Sequence, residues 1–203
     1  QPVGSAYHIQ WALRLTGELD RVVLQGAVDA VVSRHEVLRT IFVAGEEEGT
    51  AEQQVLPTLA VPVEWIEAAG LDAEGVRGLL AALARRPFDF ARGPLLRVTV
   101  LSLGETEQVL VVVIHHIIAD GWSLAVLATE LSQAYGSLRS GAAPSLAPLP
   151  VQYGDWALWQ RQWLAGDEPA RQLDYWRATL AGAPPVLDLG AERARPPTLS
   201  HRG

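Results

Sequence analysis

The 203-residue sequence contains no cysteine and no methionine. Without cysteine there is no disulfide framework and nothing to complete a soft metal site, and a reducing compartment, by default the cytoplasm, is the expectation. A basic block is missing as well: 16 Lys and Arg stand against 23 Asp and Glu, a formal charge of -7. Such a chain has no stripe that would track a phosphate backbone, so nucleic acid is not an expected partner. No apolar run reaches the roughly 18 residues of a membrane-spanning helix, and the first residues lack the charged-then-apolar pattern of a signal peptide. No membrane association is expected. With 49% hydrophobic and 19% charged residues, the chain can bury a core of its own, as one domain or one domain with a short extension. The missing methionine and the opening Gln1-Pro2-Val3 suggest a sequence that starts inside a domain, that is, a fragment.

What is present is concentrated in residues 109–123, VLVVVIHHIIADGWS. Residues 109–114 are all β-branched or leucine, which predicts a short strand buried on both faces. His115 and His116 sit where that strand emerges, and successive strand side chains point to opposite faces. One histidine should therefore serve the site and the other the structure. Asp120 can hold a loop or orient an imidazole, and Gly121 permits an unusual turn or the close approach of a ligand. An isolated His-His at a strand end is more often a satisfied core residue than a site. A metal site is a further alternative, because His116 and Asp120 stand four apart. The strand context separates the two histidines, however, and no metal is expected.

Around this segment the pattern alternates between strands and helices. Residues 7–16 predict a strand ending at Gly17. Asp20 then offers an N-cap to a helix whose Leu24, Ala27, Val28, Val31 and Val32 share one face. Residues 38–43 predict a strand, 46–49 a solvated hairpin turn, and 52–56 and 61–66 two more strands. A helix capped by Asp72 ends before Pro87; strands at 95–103 and 108–115 follow, joined by a turn at 104–107. Beyond Gly121 a helix is expected, with Ser123 as its cap and Leu124, Leu127, Ala128, Leu131, Tyr135 and Leu138 at helical spacing. Residues 141–150 predict a surface linker, 153–165 and 170–181 two helices, and 182–197 a second Pro- and Arg-rich stretch. Tyr153, Trp156, Trp159 and Trp163 share a helical face and predict core packing. His8 and His201 carry no supporting pattern. A strand-loop-helix junction at the histidines suits catalysis, because rigid elements then position a short loop.

The spacing His-His-x-x-x-Asp-Gly-Trp-Ser resembles the condensation domains of nonribosomal peptide synthetases, in the superfamily shared with chloramphenicol acetyltransferase. Three further stretches are similar to the family in the family's order: Arg34-His-Glu-Val-Leu-Arg-Thr-Ile-Phe42, Arg86-Pro-Phe-Asp-Phe90 with Gly93-Pro-Leu-Leu-Arg97, and Tyr153-Gly-Asp-Trp-Ala-Leu-Trp-Gln160. The resemblance implies an α/β fold of the α+β type, a chloramphenicol acetyltransferase-like lobe in which helices cover a mixed, largely antiparallel sheet. Residues 1–181 would be the N-terminal lobe without the family's first motif, and 182–203 a linker and the start of an absent second lobe.

The implied reaction is amide formation between a donor acyl or peptidyl thioester and the amine of an acceptor aminoacyl thioester. Both ride on phosphopantetheine arms of carrier proteins, with no cofactor bound by this lobe. The carriers, an adjoining adenylation domain and the C-terminal lobe would be the partners. By resemblance His116 is the base or positioning group and His115 its structural support. Asp120 would be held in a salt bridge, with Arg39 as its partner, and Gly121 would serve the arm or the oxyanion. Arg34 would support the site or simply be a surface charge at a helix end; Trp122 and Ser123 would line the channel mouth. The Arg34–Thr40 segment and the order Gly121-Trp122-Ser123 look most like the type joining an L-configured donor to an L-configured acceptor. Two alternatives stand beside this: a related acyltransferase with a free small-molecule acceptor, and a non-catalytic module that docks carriers or recruits a tailoring enzyme. A lone lobe would be poorly active and would expose an apolar face.

Overall fold

Residues 5–47 and 49–186 are described by a computed structural model of the chain. The elements run β1 (His8–Thr16), α1 (Arg21–Arg34), β2 (Thr40–Ala44), β3 (Ala51–Val55), β4 (Val63–Glu67), α2 (Ala73–Arg85), β5 (Leu96–Gly104), β6 (Glu107–His115), α3 (Gly121–Arg139), α4 (Tyr153–Leu164) and α5 (Glu168–Thr179). The chain divides into two compact units between Tyr153 and Gly154.

In the first unit a four-stranded sheet has the order β1-β6-β5-β4. β6 is antiparallel to both neighbours, whereas β4 and β5 are parallel. The exception has a cause: α2 lies between β4 and β5 in the chain, and only such a crossover lets consecutive strands run the same way. β2 and β3 form a separate hairpin, its register running to Ala44↔Ala51.

β6 is buried at every position after Glu107, and its alternation sends side chains into two cores. Leu110, Val112 and Ile114 join Val98, Val100 and Leu96 of β5 beneath α1 and α3, where Leu24, Ala27, Val28, Val31, Leu131 and Ala134 close the layer. Val109, Val111 and Val113 face the other way, with Leu101 of β5 and Leu83 of α2. The sheet is thus sandwiched, α2 on one face and α1 with α3 on the other. β1, at the sheet edge, buries Ile9, Trp11, Leu13 and Leu15 against the first core and leaves Gln10, Ala12 and Arg14 exposed. The Gln10 amide and the His8 ring still reach α2, at the carbonyls of Leu80 and Ala84.

Helix ends follow their sequence signals. Asp20 caps α1, its carboxylate accepting from the N–H of Val22 and Val23 at 2.9 and 3.0 Å, and Asp72 caps α2 through Gly75. α1 packs closely on α3 at Gly26, where even an added Cβ would come within 3.2 Å of Leu138. Gly93 is needed for its backbone: φ is +64°, with Ile41 and Leu59 each 3.2 Å from where a Cβ would stand.

Some local expectations are corrected. Residues 36–39 form a 3-10 turn, closed by the Leu38 N–H on the His35 carbonyl at 3.1 Å, and β2 begins only at Thr40. The strand expected at 61–66 is Val63–Glu67, and the second late helix begins at Glu168. Tyr153, Trp156, Trp159 and Trp163 remain 47, 42, 56 and 41% exposed, so they are not core among the described residues; Trp159 and Trp163 stack on one another at 6.0 Å. Most of the stretch at 182–203, with His201, lies outside the described residues. No helix among them is long and apolar enough to cross a membrane.

α1 and α3 are also joined by charge. Arg34 Nε donates to both oxygens of Glu130 at 3.1 Å, and His35 Nε2 lies 2.6 Å from the same carboxylate. All three side chains are at least four-fifths buried. Arg34 also donates to the Ala147 carbonyl, while Gln152 bonds the Arg34 carbonyl and the Glu36 N–H. The end of α1 therefore clamps the segment leading to α4. Glu130→Ala should lower the unfolding free energy in urea by about 3–5 kcal/mol, since it strands a buried guanidinium. Arg14→Ala, at the exposed Arg14–Glu107 pair, should change it by at most about 1 kcal/mol.

Candidate active site

The buried strand β6 ends at His115, and its last side chain falls on the α2 face of the sheet. There the His115 ring is only 5% exposed and sits among four rings: Phe90 at 4.7 Å, His8 at 5.6 Å, Phe88 at 6.2 Å and Tyr7 at 6.3 Å between centroids. Phe88 is covered in turn by the Arg97 guanidinium, 3.8 Å from its centroid. Burial and the neighbouring Arg86 lower the Arg97 pKa to about 10.

Immediately after His115 the chain turns. The Ile118 N–H donates to the His115 carbonyl at 3.1 Å and the Ile117 N–H to the His115 Nδ1 at 3.1 Å. His115 thus braces the turn with both backbone and ring. His116 occupies the next position, already off the strand, and its side chain is exposed. Its own N–H donates to the Tyr7 carbonyl at 2.8 Å, which pins the peptide to the residue just before β1 and leaves the imidazole in solvent. The pair diverges, as strand alternation requires.

Asp120 is the N-cap of α3. Its carboxylate accepts from the Ser123 N–H at 2.8 Å and the Ser123 hydroxyl at 2.6 Å, and Ser123 Oγ accepts from the Asp120 N–H at 3.2 Å. This reciprocal capping box replaces two expectations. The cap is Asp120, not Ser123, which stands three residues later as its partner. The salt bridge between Asp120 and Arg39 is not formed: Arg39 lies against Glu36 at 3.5 Å and donates to the Leu56 carbonyl, beside β3. The first turn of α3 offers Asp120 closer donors than any arginine. The Ser123 hydroxyl first, then the Ser123 N–H, hold the Asp120 carboxyl below the usual carboxylate range, and a charge on nearby His116 acts in the same direction.

Gly121 has no positive φ; its position is notable for open space, nothing lying within 4 Å of an added Cβ. Trp122 is 83% exposed and borders a cavity of about 150 Å³ lined by His35, Leu38, Ile114, Ile118 and Leu127. Arg34 is no free surface charge but part of the α1–α3 clamp. Among the described residues no three His, Asp or Glu side chains gather as a metal site. The structure therefore brings together an exposed imidazole on a braced turn, an ionised carboxylate, and the first N–H groups of a helix, which have no intrahelical acceptor. Sequence reasoning missed His8, Tyr7 and Glu130. Their partners lie about 100 residues away in the chain, and only the β1–β6 register His8↔His115 and the α1–α3 packing expose them. Phe88 and Phe90 were visible as a motif, but not as the box around His115.

Burial, and then the charges of His8 and His116, hold the His115 pKa below the usual imidazole value. A histidine lowered on folding contributes stability that is complete above its unfolded pKa, about 6.5, and is lost as pH falls through the folded value. The urea midpoint should therefore drop between pH about 7.5 and about 5.5, and His115→Asn should make that drop smaller.

Comparison with known proteins supplies the relatives of this arrangement. A family model described as the condensation domain matches residues 1–203. The phosphinothricin tripeptide synthetase PhsB of Streptomyces viridochromogenes is 45% identical over the whole chain, which covers 17% of that protein. One of the linear gramicidin synthase proteins of Brevibacillus parabrevis is 42% identical over the whole chain, which covers 3% of it. Among solved structures, the X-domain from teicoplanin biosynthesis, including its complex with OxyB, is 35% identical with a TM-score of 0.80, over 94% of this chain and 42% of that one. The first condensation domain of the CDA synthetase has a TM-score of 0.77 at 22% identity, over 90% and 47%, a likeness of fold. The chain thus spans less than half the length of these solved domains. On the match over all 203 residues, it belongs to the condensation-domain family of nonribosomal peptide synthetases.

Proposed function

We propose that the chain is the N-terminal lobe of an amide-forming condensation domain. It would join a donor acyl or peptidyl thioester to the amine of an acceptor aminoacyl thioester, both on phosphopantetheine arms of carrier proteins. The observation that carries the reading is the exposed His116 imidazole on a turn held by Tyr7 and His115. Little chemistry is demanded of it. An α-amine with a pKa of about 7.7–8.0 is partly neutral near pH 7, and the thioester is already activated.

The amine nitrogen attacks the thioester carbonyl and forms the C–N bond. His116 takes the ammonium proton as that bond forms, or orients the amine for the attack. The Gly121 N–H, at the first turn of α3, donates to the developing oxyanion, or the missing side chain leaves room for the arm. As the oxyanion collapses, the C–S bond breaks and the pantetheine thiolate leaves with the proton. Asp120 and His115 support this by holding the turn and the helix start. Arg34 and Arg39 brace the layer behind it, and Trp122 and Ser123 stand at the mouth.

The adjoining adenylation domain, the cytoplasmic setting and the second lobe, which supplies the other wall of the cleft, belong to the same proposal. So does the L-to-L subtype, on the strength of residues 34–40 and Gly121-Trp122-Ser123. A second reading, a module that docks another enzyme, draws on the likeness to an X-domain solved in complex with OxyB.

Single-turnover peptide formation between loaded donor and acceptor carriers separates the two. It is measured by mass spectrometry with a two-lobed domain that carries this sequence as its N-terminal lobe. Product is expected, and His116→Ala should reduce its rate by about 10²–10⁴-fold. No product with confirmed loaded carriers would favour docking instead. The 203-residue chain alone should form little or none.

A further inference from the structure

His8 carries no motif, yet it faces His115 directly. The two are register partners on β1 and β6, their rings 5.6 Å apart and nearly perpendicular at 73°. Hydrogen-bond partners fix both tautomers. His115 Nδ1 receives the Ile117 N–H at 3.1 Å. A backbone N–H can only donate, so this nitrogen is bare and the ring proton is on Nε2. That Nε2 is buried with no partner. His8 Nδ1 lies 2.7 Å from the Ala84 carbonyl. A carbonyl can only accept, so His8 carries its proton on Nδ1 and, when neutral, a bare lone pair on Nε2. One ring therefore holds an unmatched donor and its neighbour an unmatched acceptor. The other rings around His115, from Tyr7, Phe88 and Phe90, hold no bare ring nitrogen.

We propose that His8 is a positioning residue for the condensation centre. The two Nε2 atoms are not bonded in this structure, but with the ring centroids 5.6 Å apart a small rotation of the His8 ring lets its Nε2 accept the His115 Nε2–H, and so locks the tautomer in which His115 Nδ1 braces the turn presenting His116. The preceding residue completes the device, because the Tyr7 carbonyl holds the His116 N–H at 2.8 Å. Two consecutive residues, Tyr7 just before β1 and His8 its first, thus govern the histidines that end and follow β6, one through its backbone and one through its ring. The choice of tautomer follows from the hydrogen bond made by the other ring nitrogen. A side chain at position 8 without an acceptor frees His115 to turn or to protonate Nδ1, and the Ile117 N–H then loses its partner. This inference rests on the reading of His116 as the group at the reacting centre, so its test has a readout independent of turnover.

Long-range ¹H–¹⁵N correlation spectra of the 203-residue chain report the tautomer of each imidazole. His115 is expected as the Nε2–H form and His8 as the Nδ1–H form, with the His115 ring proton slow to exchange with water. His8→Phe should speed that exchange, and His8→Asn, whose amide oxygen can accept, should slow it again. A His115 proton on Nδ1 in the wild type, or exchange unaffected by His8→Phe, overturns the proposal. The wild-type spectrum decides even where a variant does not fold. In the two-lobed domain His8→Phe should lower kcat by up to about 10²-fold with KM little changed, with recovery in His8→Asn. Unaltered kcat would overturn the positioning role. If the wild-type domain forms no amide while the spectra are as expected, the failure lies with the proposed reaction and not with the tautomer lock.

Discussion

The burial of β6 on both faces is the constraint from which the rest of the structure follows. Covered by α2 on one side and by α1 and α3 on the other, the strand carries only apolar side chains from Val109 to Ile114, because an unpaired polar group there costs free energy and gains nothing. At the C-terminal end of this run, polar chemistry begins where the strand leaves the sheet, and it does so within two residues. His115, the last strand position, is still inside, and its ring nitrogen replaces a backbone acceptor for Ile117. His116, one residue on, is outside. The step from buried to exposed imidazole is therefore a step in strand phase.

Three kinds of contact keep this short junction in one geometry. Backbone bonds tie the His116 peptide to Tyr7, just ahead of β1, and Ile118 to His115. An aromatic box from β1 and the 88–90 segment surrounds the His115 ring, largely edge to face, the arrangement that ring quadrupoles favour. The capping box then starts α3 at Asp120 without help from a distant cation. Behind the junction, the Arg34–Glu130–His35 cluster fixes α1 against α3. The helix whose first turn carries Gly121 is held from its middle as well as its start. Exposed pairs such as Arg14–Glu107 add little by comparison.

Electrostatically, the neighbours of His116 differ in a way that suits the proton transfer proposed for it. His115 is kept neutral by burial, so it adds no positive charge beside the exposed ring. Asp120 is kept ionised by Ser123, so negative charge is retained nearby. An imidazolium formed at His116 would be opposed by neither.

The sequence alone determined the parts that depend on local pattern. The apolar run at 109–114, the Asp20 and Asp72 caps, the stripe from Leu24 to Val32 and the divergence of two adjacent strand residues are set by periods of 2 and 3.6 and by the hydrogen-bonding habits of Asp and Gly. They were legible without a fold. What depends on residues far apart in the chain was not. The partner that the family resemblance implies for Asp120 is Arg39, but a carboxylate at a helix start meets the N–H and hydroxyl of its own first turn before any distant guanidinium. His8 looked like background because a strand residue declares its neighbour only through register. For Arg34 a supporting role and a plain surface charge stay open in the sequence, because Glu130 is brought to it only by the packing of α1 on α3. Tertiary structure decided these pairings, since a side chain bonds to what the fold places within about 3 Å of it, and sequence spacing fixes that distance only within a single turn of helix or a single step of strand.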